Sequence, residues 1–193
     1  LVEKCCHYFD LMNLAADAKP KKVYASGGQG VNFLDFEQDG ETADIDDHAF
    51  VVIDYDNGIR GNFTLNMFCH DFTEEMVICG DRGRLVTREI FNIHQQKPSS
   101  ATVALELGEI GGSKQTEVTY AREIESSGHH GATYYEHIAF VDKLEGNLTT
   151  SATPLQGLWS IIIACAAQQS IATGEAIDID QFLADNELSE FTQ

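Results

Sequence analysis

The stretch HAFVVIDYDNGIRGNFTLNMFC, residues 48–69, carries the strongest local pattern in the chain. Two runs rich in β-branched and aromatic residues flank Asn57-Gly58, a pair whose tolerance of positive φ favours a type I′ hairpin turn. Every second residue of the first run is apolar, which predicts a strand with one buried face, formed by Ala49, Val51, Ile53 and Tyr55. The stretch therefore predicts an antiparallel hairpin.

Strand patterns extend from this hairpin in both directions. KKVYASGG, residues 21–28, precedes it, and MVICGDRGRLVTRE, residues 76–89, repeats the strand–turn–strand pattern. Three further β-rich runs follow, and these are IFNIHQQ, ATVALELGE and TEVTYARE. One short strand is expected near 176–179, followed by an acidic tail. Together these runs predict a meandering, mainly antiparallel sheet.

Helical patterns lie at the two ends of the chain. Apolar residues recur at helical spacing in 2–16 and again in 132–146. A last helix is expected to begin after Thr153-Pro154, an N-cap side chain with a first-turn proline, and to end at Gly174. The order of elements predicts an α+β fold, a mainly antiparallel open sheet with helices packed on one face.

The other sheet face is expected to be free for dimerisation. In 62–67 the apolar residues alternate with uncharged polar residues, Asn62, Thr64 and Asn66. A solvated face usually carries more Lys and Glu, so this face indicates a partner sheet, although a simply solvated face is the alternative. We therefore expect a homodimer or a tetramer through the sheet face.

Composition limits the class of protein. The 193 residues, 43% hydrophobic, predict one domain over 1–193. A formal net charge of −19 repels phosphate backbones and anionic membrane surfaces, so no nucleic acid and no membrane is expected as a partner. Five cysteines, an odd number without disulfide spacing, favour a reducing compartment, and the predicted location is cytoplasmic.

A polar stripe opens the chain within LVEKCCHYFDLM, residues 1–12. On an α-helix, Glu3, His7 and Asp10 project from the same side. An imidazole both takes and returns a proton near neutral pH, which suits acid–base chemistry. A carboxylate one turn away either orients the imidazole or binds a substrate hydroxyl, and the alternative is an ordinary polar pair without a catalytic role.

Six motifs follow one another along essentially all 193 residues: EKCCHYFDLMNL, KVYASGG, HAFVVIDYDNGIRGNFTLNMF, VICGDRGRL, HHGATYYEHIAFVDKLEG and TPLQGLWSIIIACAAQQSIATGEAIDI. This ordered set resembles the carboxy-terminal domain of the glucose-fructose oxidoreductase and inositol dehydrogenase family, often called Gfo/Idh/MocA. The resemblance implies a two-domain NAD(P)-dependent dehydrogenase whose amino-terminal Rossmann domain is absent from this sequence. NAD or NADP would then be bound mainly by that missing domain.

The resemblance also implies site residues. The family's DxGxH motif places an Asp and a His four residues apart, and Glu3 and His7 occupy these two positions here, with Glu in place of Asp. His7 and Glu3 are therefore the expected catalytic residues. Asp10, which matches a helical Asp of the family, and Lys4 are expected to bind or orient the substrate.

A loop before the second helical segment adds two candidates. His129 and His130 lie in SSGHHGA, where similar enzymes bring a flexible loop towards the substrate, although a plain linker is the alternative. No metal site is expected, because adjacent Cys5 and Cys6 point about 100 degrees apart on a helix. GGQG, residues 27–30, is expected to be a loop rather than a dinucleotide cradle.

Three functions compete at this point. The first is the substrate and oligomerisation domain of an NAD(P)-dependent oxidoreductase that acts on a sugar, polyol or related hydroxy compound by hydride transfer. The isolated fragment would then be inactive. The second is a catalytically inactive family member that serves as a ligand-sensing or sheet-mediated assembly module, which Glu3 in the expected Asp position keeps open. The third is a free-standing scaffold.

Overall fold

The computed structural model describes residues 1–69, 71–91, 100–127 and 129–192. Its helices are α1 (Val2–Ala16), α2 (Gly108–Gly111), α3 (Arg122–Glu125), α4 (Ala132–Leu144), α5 (Pro154–Thr173) and α6 (Ile179–Asp185), with single 3₁₀ turns at His129–Gly131 and Ser189–Phe191. Its strands are β1 (Pro20–Gly28), β2 (Glu37–Gln38), β3 (Glu41–Thr42), β4 (His48–Tyr55), β5 (Arg60–Asn66), β6 (Phe72–Gly80), β7 (Gly83–Phe91), β8 (Ser100–Leu107), β9 (Gly112–Val118) and β10 (Ile177–Asp178). The predicted α+β class is confirmed.

The chain contains two compact units. Unit 1 comprises Leu1–Phe68 with Ala152–Gln193, and unit 2 comprises Cys69–Ser151. Each unit is described by itself. The assignment of 1–193 to a single domain stays a prediction.

The described strands pair antiparallel in two four-stranded sheets and one small hairpin. Unit 1 holds the order β10-β1-β4-β5, unit 2 holds β6-β7-β8-β9, and β2 pairs with β3. The sequence predicted one meandering sheet, whereas the described strands form separate sheets. The difference arises because strand patterns show where strands lie and not which strands pair. The predicted run IFNIHQQ contributes Ile90 and Phe91 to β7, and its remaining residues lie outside the described part of the chain.

The hairpin between β4 and β5 differs from the expected turn. Gly58 N donates to Tyr55 O at 3.1 Å, so Asp56 and Asn57 occupy the turn and Gly58 follows it with φ +87°. Asn57 keeps a negative φ. This is a type I turn followed by a left-handed glycine, so the predicted type I′ turn is wrong.

The core of unit 1 lies between its sheet and two helices, α1 and α5. The alternating inner residues of β4 are buried as the sequence predicted, together with Phe9 of α1 and Ile162 and Ile163 of α5. Beyond its short pairing with β10, β1 has a free edge, where Ala25 N donates to Ser170 Oγ at 2.8 Å. A helix side chain thus satisfies a buried strand donor that no neighbouring strand reaches.

The boundaries of α5 follow the expected signals. Thr153 Oγ1 accepts from Gln156 N at 3.2 Å and Gly174 ends the helix with φ +75°, so both predicted caps are confirmed. Among the described residues, α5 is the one helix that is long and apolar enough to cross a membrane. Core helices meet the same test, and α5 contributes buried residues to the core of unit 1.

The carboxy-terminal segment corrects a prediction. After β10, residues expected to form an acidic tail form α6, with Asp178 as N-cap accepting from Gln181 N at 3.1 Å. Phe182 and Leu183 of this helix are buried in the core of unit 1. The acidic residues Asp180 and Asp185 belong to the same helix as these two apolar residues, so α6 is a short amphipathic helix.

Each sheet leaves apolar side chains exposed within its unit. On the face of the unit 1 sheet opposite α1 and α5, Tyr24, Phe50 and Val52 are exposed. In unit 2, one face carries the ion pairs Arg84–Glu106 and Arg88–Glu75. The other face carries Met76, Ile78, Leu85 and Leu105, together with charged residues that include the cross-strand pair Glu74 and Glu89 and, beside Leu105, Lys114.

Candidate functional site

Helix α1 separates a core side from a polar side. Cys5, Phe9 and Ala16 face the core, whereas His7 and Glu3 are exposed and Asp10 is half-buried. The local reason is the helical repeat, which sends the apolar residues to the sheet and the polar stripe away from it. The imidazole of His7 is therefore accessible at the surface of unit 1.

The stripe is not joined by internal bonds. No hydrogen bond or ion pair connects His7 with Glu3 or with Asp10, all of which the structure describes. Cys6 Sγ donates to Glu3 O at 3.6 Å, a contact with the backbone that leaves the Glu3 carboxylate to solvent. Lys4 is also exposed on α1. The stripe thus presents two carboxylates and an imidazole to an incoming molecule.

The two adjacent cysteines of α1 point in different directions. Cys5 is 1% exposed in the core, and burial raises the pKa of its thiol, while Cys6 is half-buried. Among the described residues, no three His, Cys, Asp or Glu side chains come together as a metal-binding group. A second Cys–His pair of the sequence, Cys69-His70, has its histidine outside the described residues.

The second pair of candidates belongs to unit 2. His129 and His130 form a 3₁₀ turn immediately before α4, and His129 Nδ1 is hydrogen-bonded to Thr133 Oγ1 at 3.1 Å. His129 also has a positive φ of 45°. The hydrogen bond ties His129 to the first turn of α4, so this histidine is part of a folded turn.

Asp47, immediately before β4, carries a buried carboxylate that the sequence analysis did not single out. Asp47 lies three residues after the exposed Asp44 in the acidic stretch ETADIDD, residues 41–47, but Asp47 itself is fully buried. Its oxygens accept from the backbone N–H groups of Gly30, Val31 and Asn32 at 2.6–2.9 Å, and from His48 Nδ1 at 2.8 Å.

These bonds bear on how a dinucleotide could be held. A phosphate cradle needs free backbone N–H groups that point at the phosphate. In GGQG, Gly27 and Gly28 end β1, and the N–H groups that follow are used by Asp47. The expectation that GGQG is a loop thus holds for Gln29 and Gly30 but not for Gly27 and Gly28, which lie in β1. The N–H groups of Gly30, Val31 and Asn32 are not available to a dinucleotide phosphate.

A cavity lies beside the polar stripe, between α1 and α5 within unit 1. Asp10 and Asn13 of α1 contribute to its wall, together with Asp17, which caps the end of α1, and Trp159 of α5. Sequence reasoning named Asp10 but neither Asn13 nor Trp159. These two residues are 146 positions apart, so no local pattern indicates that they meet.

A family model described as "Oxidoreductase family, C-terminal alpha/beta domain" (GFO_IDH_MocA_C) matches residues 1–179. No curated protein matches the chain. Several solved structures have a similar fold. One is an oxidoreductase from Agrobacterium radiobacter in complex with NAD⁺, L-tartaric acid and magnesium, with a TM-score of 0.62 and 16% identity over 94% of this chain and 49% of that chain.

Two further structures are similar over comparable lengths. A levoglucosan dehydrogenase in complex with NADH and levoglucosan has a TM-score of 0.62 and 18% identity, over 93% of this chain and 50% of that one. An aldose-aldose oxidoreductase from Caulobacter crescentus, complexed with glycerol, has a TM-score of 0.56 and 12% identity, over 90% and 45%. At these identities the likeness establishes the fold. The chain spans about half the length of these structures.

Proposed function

The chain belongs to the Gfo/Idh/MocA oxidoreductase family, as its C-terminal alpha/beta domain, and from this premise we propose that it is the substrate-binding and oligomerisation domain of an NAD(P)-dependent dehydrogenase. The proposed substrate is a sugar, a polyol or a related hydroxy compound. The ligands named for similar folds, L-tartaric acid, levoglucosan and glycerol, are all hydroxylated and support this class.

The observation that carries the proposal is the exposure of His7 on the polar side of α1. In the proposed reaction a ring nitrogen of His7 accepts the proton of the substrate hydroxyl. Glu3, one turn away, and Asp10 bind neighbouring hydroxyls, and Lys4 holds an oxygen of the substrate. An exposed imidazole suits this role because it can pass the proton on to solvent.

The cofactor is assigned to another domain. The N–H groups of Gly30, Val31 and Asn32 already donate hydrogen bonds to Asp47. The dinucleotide is therefore proposed to be bound mainly by a nucleotide-binding domain outside these 193 residues. When bound, the nicotinamide supplies the hydride acceptor. The contribution of this chain is to bind the substrate, orient it and remove its proton. The 193-residue chain by itself is then inactive.

Assembly through the sheets belongs to the same proposal. The exposed apolar side chains of the unit 1 sheet, Tyr24, Phe50 and Val52, support a second copy as partner, in a homodimer or a tetramer. His129 and His130 are also proposed to bind or orient the substrate. The cytoplasm is the proposed location, on the basis of the cysteine content.

The test is a comparison of His7→Gln with His137→Asn in the intact protein. His137 is an exposed helical histidine whose Nδ1 donates to Thr133 O at 2.7 Å, and the proposal gives it no role. With a panel of polyols and either NAD or NADP, His7→Gln is expected to lower kcat by about 10²–10⁴-fold, the usual contribution of a general base. Equal activities of the two variants would exclude His7 as the base.

The alternative, an inactive family member used for ligand sensing or assembly, is tested by Glu3→Asp. This change restores the residue that the family pattern has at that position. If neither the natural protein nor Glu3→Asp oxidises any compound of the panel, the dehydrogenase proposal fails and the alternative is favoured.

A further inference from the structure

The segment 29–46 between β1 and β4, which we call the acidic loop, carries large apolar side chains that are exposed. They are Val31, Phe33, Leu34, Phe36 and Ile45, and each is between 44% and 56% exposed. A single exposed apolar residue is ordinary on a protein surface. Several of them within one loop indicate a surface that another molecule covers.

Two of these side chains line a groove at the small hairpin of β2 and β3. Phe36 and Ile45 form part of its wall, and its volume is about 340 Å³. The ring of Phe33 packs edge-on against that of Phe36, with 6.3 Å between the ring centres. The same groove is lined by the carboxylates of Asp39, Glu41 and Asp44. It therefore offers apolar contacts and negative charge side by side.

Hydrogen bonds fix the acidic loop at several points. At its start, three successive backbone N–H groups donate to the buried carboxylate of Asp47. Further along, Ala43 N donates to Phe36 O at 2.9 Å, and Asn32 Nδ2 donates to Met67 O at 3.0 Å. A surface that is already ordered has less conformational entropy to lose when a partner binds.

The charge of the acidic loop restricts the partner. Its acidic residues are Asp35, Glu37, Asp39, Glu41, Asp44 and Asp46, and it contains no Lys, Arg or His. A second copy of this chain, with its net charge of −19, would bring further negative charge to the groove. A partner that combines apolar residues with Lys or Arg complements both properties of this surface.

We propose that the acidic loop is a docking surface for a basic amphipathic segment of another protein. The apolar side of that segment contacts Phe36 and Ile45, and its basic residues face the carboxylates of Glu41 and Asp44. An amphipathic helix in a groove is a common form of this kind of recognition. The surface goes beyond the proposed function, because it involves neither His7 nor a nicotinamide cofactor.

Three fluorescently labelled synthetic peptides test the proposal by fluorescence anisotropy with the intact protein. The first has leucines on one helix face and lysines on the other, the second has glutamates in place of the lysines, and the third has serines in place of the leucines. Saturable binding is expected for the first peptide alone. Its affinity is expected to fall when the NaCl concentration rises from about 0.1 M to about 1 M, because salt screens exposed charges.

Four substitutions of exposed residues locate the binding surface. Phe36→Ser is expected to weaken binding of the first peptide about tenfold, the usual effect of truncating an apolar anchor. Phe191→Ser is its matched control, since Phe191 is 59% exposed in unit 1 but lies outside the acidic loop. Asp44→Asn is expected to weaken binding about two- to fivefold, the scale of one exposed ion pair. Its control is Glu175→Gln, another exposed carboxylate of unit 1.

The outcomes separate this proposal from its alternatives. A larger loss in Phe36→Ser than in Phe191→Ser supports it, whatever the activity test of His7 gives. Equal affinities of these two variants, or equal binding of the first and third peptides, would reduce the effect to general attraction by an acidic protein and overturn the proposal.

A smaller oligomer in Phe36→Ser, measured by light scattering, together with unchanged peptide binding would assign the acidic loop to a second copy and also overturn the proposal. Should Phe36→Ser fail to fold, Ile45→Ser takes its place in the same comparison.

Discussion

One carboxylate holds the loop that follows β1. Asp47 is buried, yet it accepts three backbone N–H groups and the Nδ1 proton of His48, which together replace the water that burial removes. The His48 hydrogen bond first, and then the backbone N–H groups, hold the pKa of Asp47 well below its usual range against the opposing effect of burial. The charge of Asp47 is therefore part of the folded structure.

This arrangement predicts that Asp47→Asn lowers the thermal stability of the protein by an amount that depends on pH. A carboxyl whose pKa is lowered by folding stabilises the protein above its unfolded pKa, about 3.9, and this stabilisation disappears as the pH falls towards the folded pKa. Asp47→Asn is expected to have a lower Tm than the natural protein at pH 6, with a difference that shrinks below about pH 4. Thermal unfolding by circular dichroism at several pH values measures this.

Asp44→Asn is the control for that experiment. Asp44 is three residues away in the same acidic stretch but exposed, so its replacement is expected to leave Tm unchanged at pH 6. A difference between Asp47→Asn and the natural protein that stays constant from pH 6 to pH 3 would contradict the role given to the charge.

At the scale of the element, the carboxyl end of β1 lies very close to β4 and α5. Gly27 faces the core side, where an added Cβ would lie 2.7 Å from His48 O, 3.0 Å from Ala49 Cβ and 3.1 Å from Ile171 Cδ1. The first of these neighbours is backbone of the paired strand, which cannot move away without disturbing β4. The glycine thus allows β1, β4 and α5 to pack together.

Gly27→Ala is therefore expected to destabilise the protein by about 1–3 kcal/mol, the usual cost of overpacking a core. Gly28→Ala is the matched control, since the nearest atom to a Cβ there is His48 Cε1 at 4.0 Å. Urea unfolding followed by circular dichroism compares the two variants. Similar midpoints for both would show that the strand adapts to the extra methyl group.

At the scale of the whole molecule, the proposed sheet-to-sheet assembly predicts that a charged side chain introduced on the exposed sheet face of unit 1 weakens the oligomer. Phe50 is 59% exposed at the centre of that face, and a glutamate there would be buried without a partner in the dimer. Phe50→Glu is expected to shift the protein towards a monomer at tens of micromolar, as measured by light scattering after size exclusion.

Phe191→Glu provides a matched control for assembly. Phe191 is also 59% exposed in unit 1, but it lies in a 3₁₀ turn near the chain end. This variant is expected to keep the oligomeric state of the natural protein. A natural protein that is strictly monomeric would refute the assembly part of the proposal.

The sequence by itself determined the elements whose signals are local. The helix over 2–16, the capped helix that ends at Gly174 and the strands around Asn57-Gly58 were predicted at or near their observed limits. A helical repeat, a cap and a turn each involve residues within a few positions of one another, so the linear pattern contains the information. The exposure of His7 follows from the same repeat, which places it opposite Phe9 and the core.

Only the tertiary structure decided which strands pair, which acidic residue is buried and where a cavity forms. Asp47 and Asp44 have similar neighbours in the sequence, but the loop after β1 folds over Asp47 alone. Trp159 joins Asn13 because α5 packs beside α1. Contacts between distant segments set these features, because burial and hydrogen bonding depend on what arrives in space and not on what is adjacent in the chain.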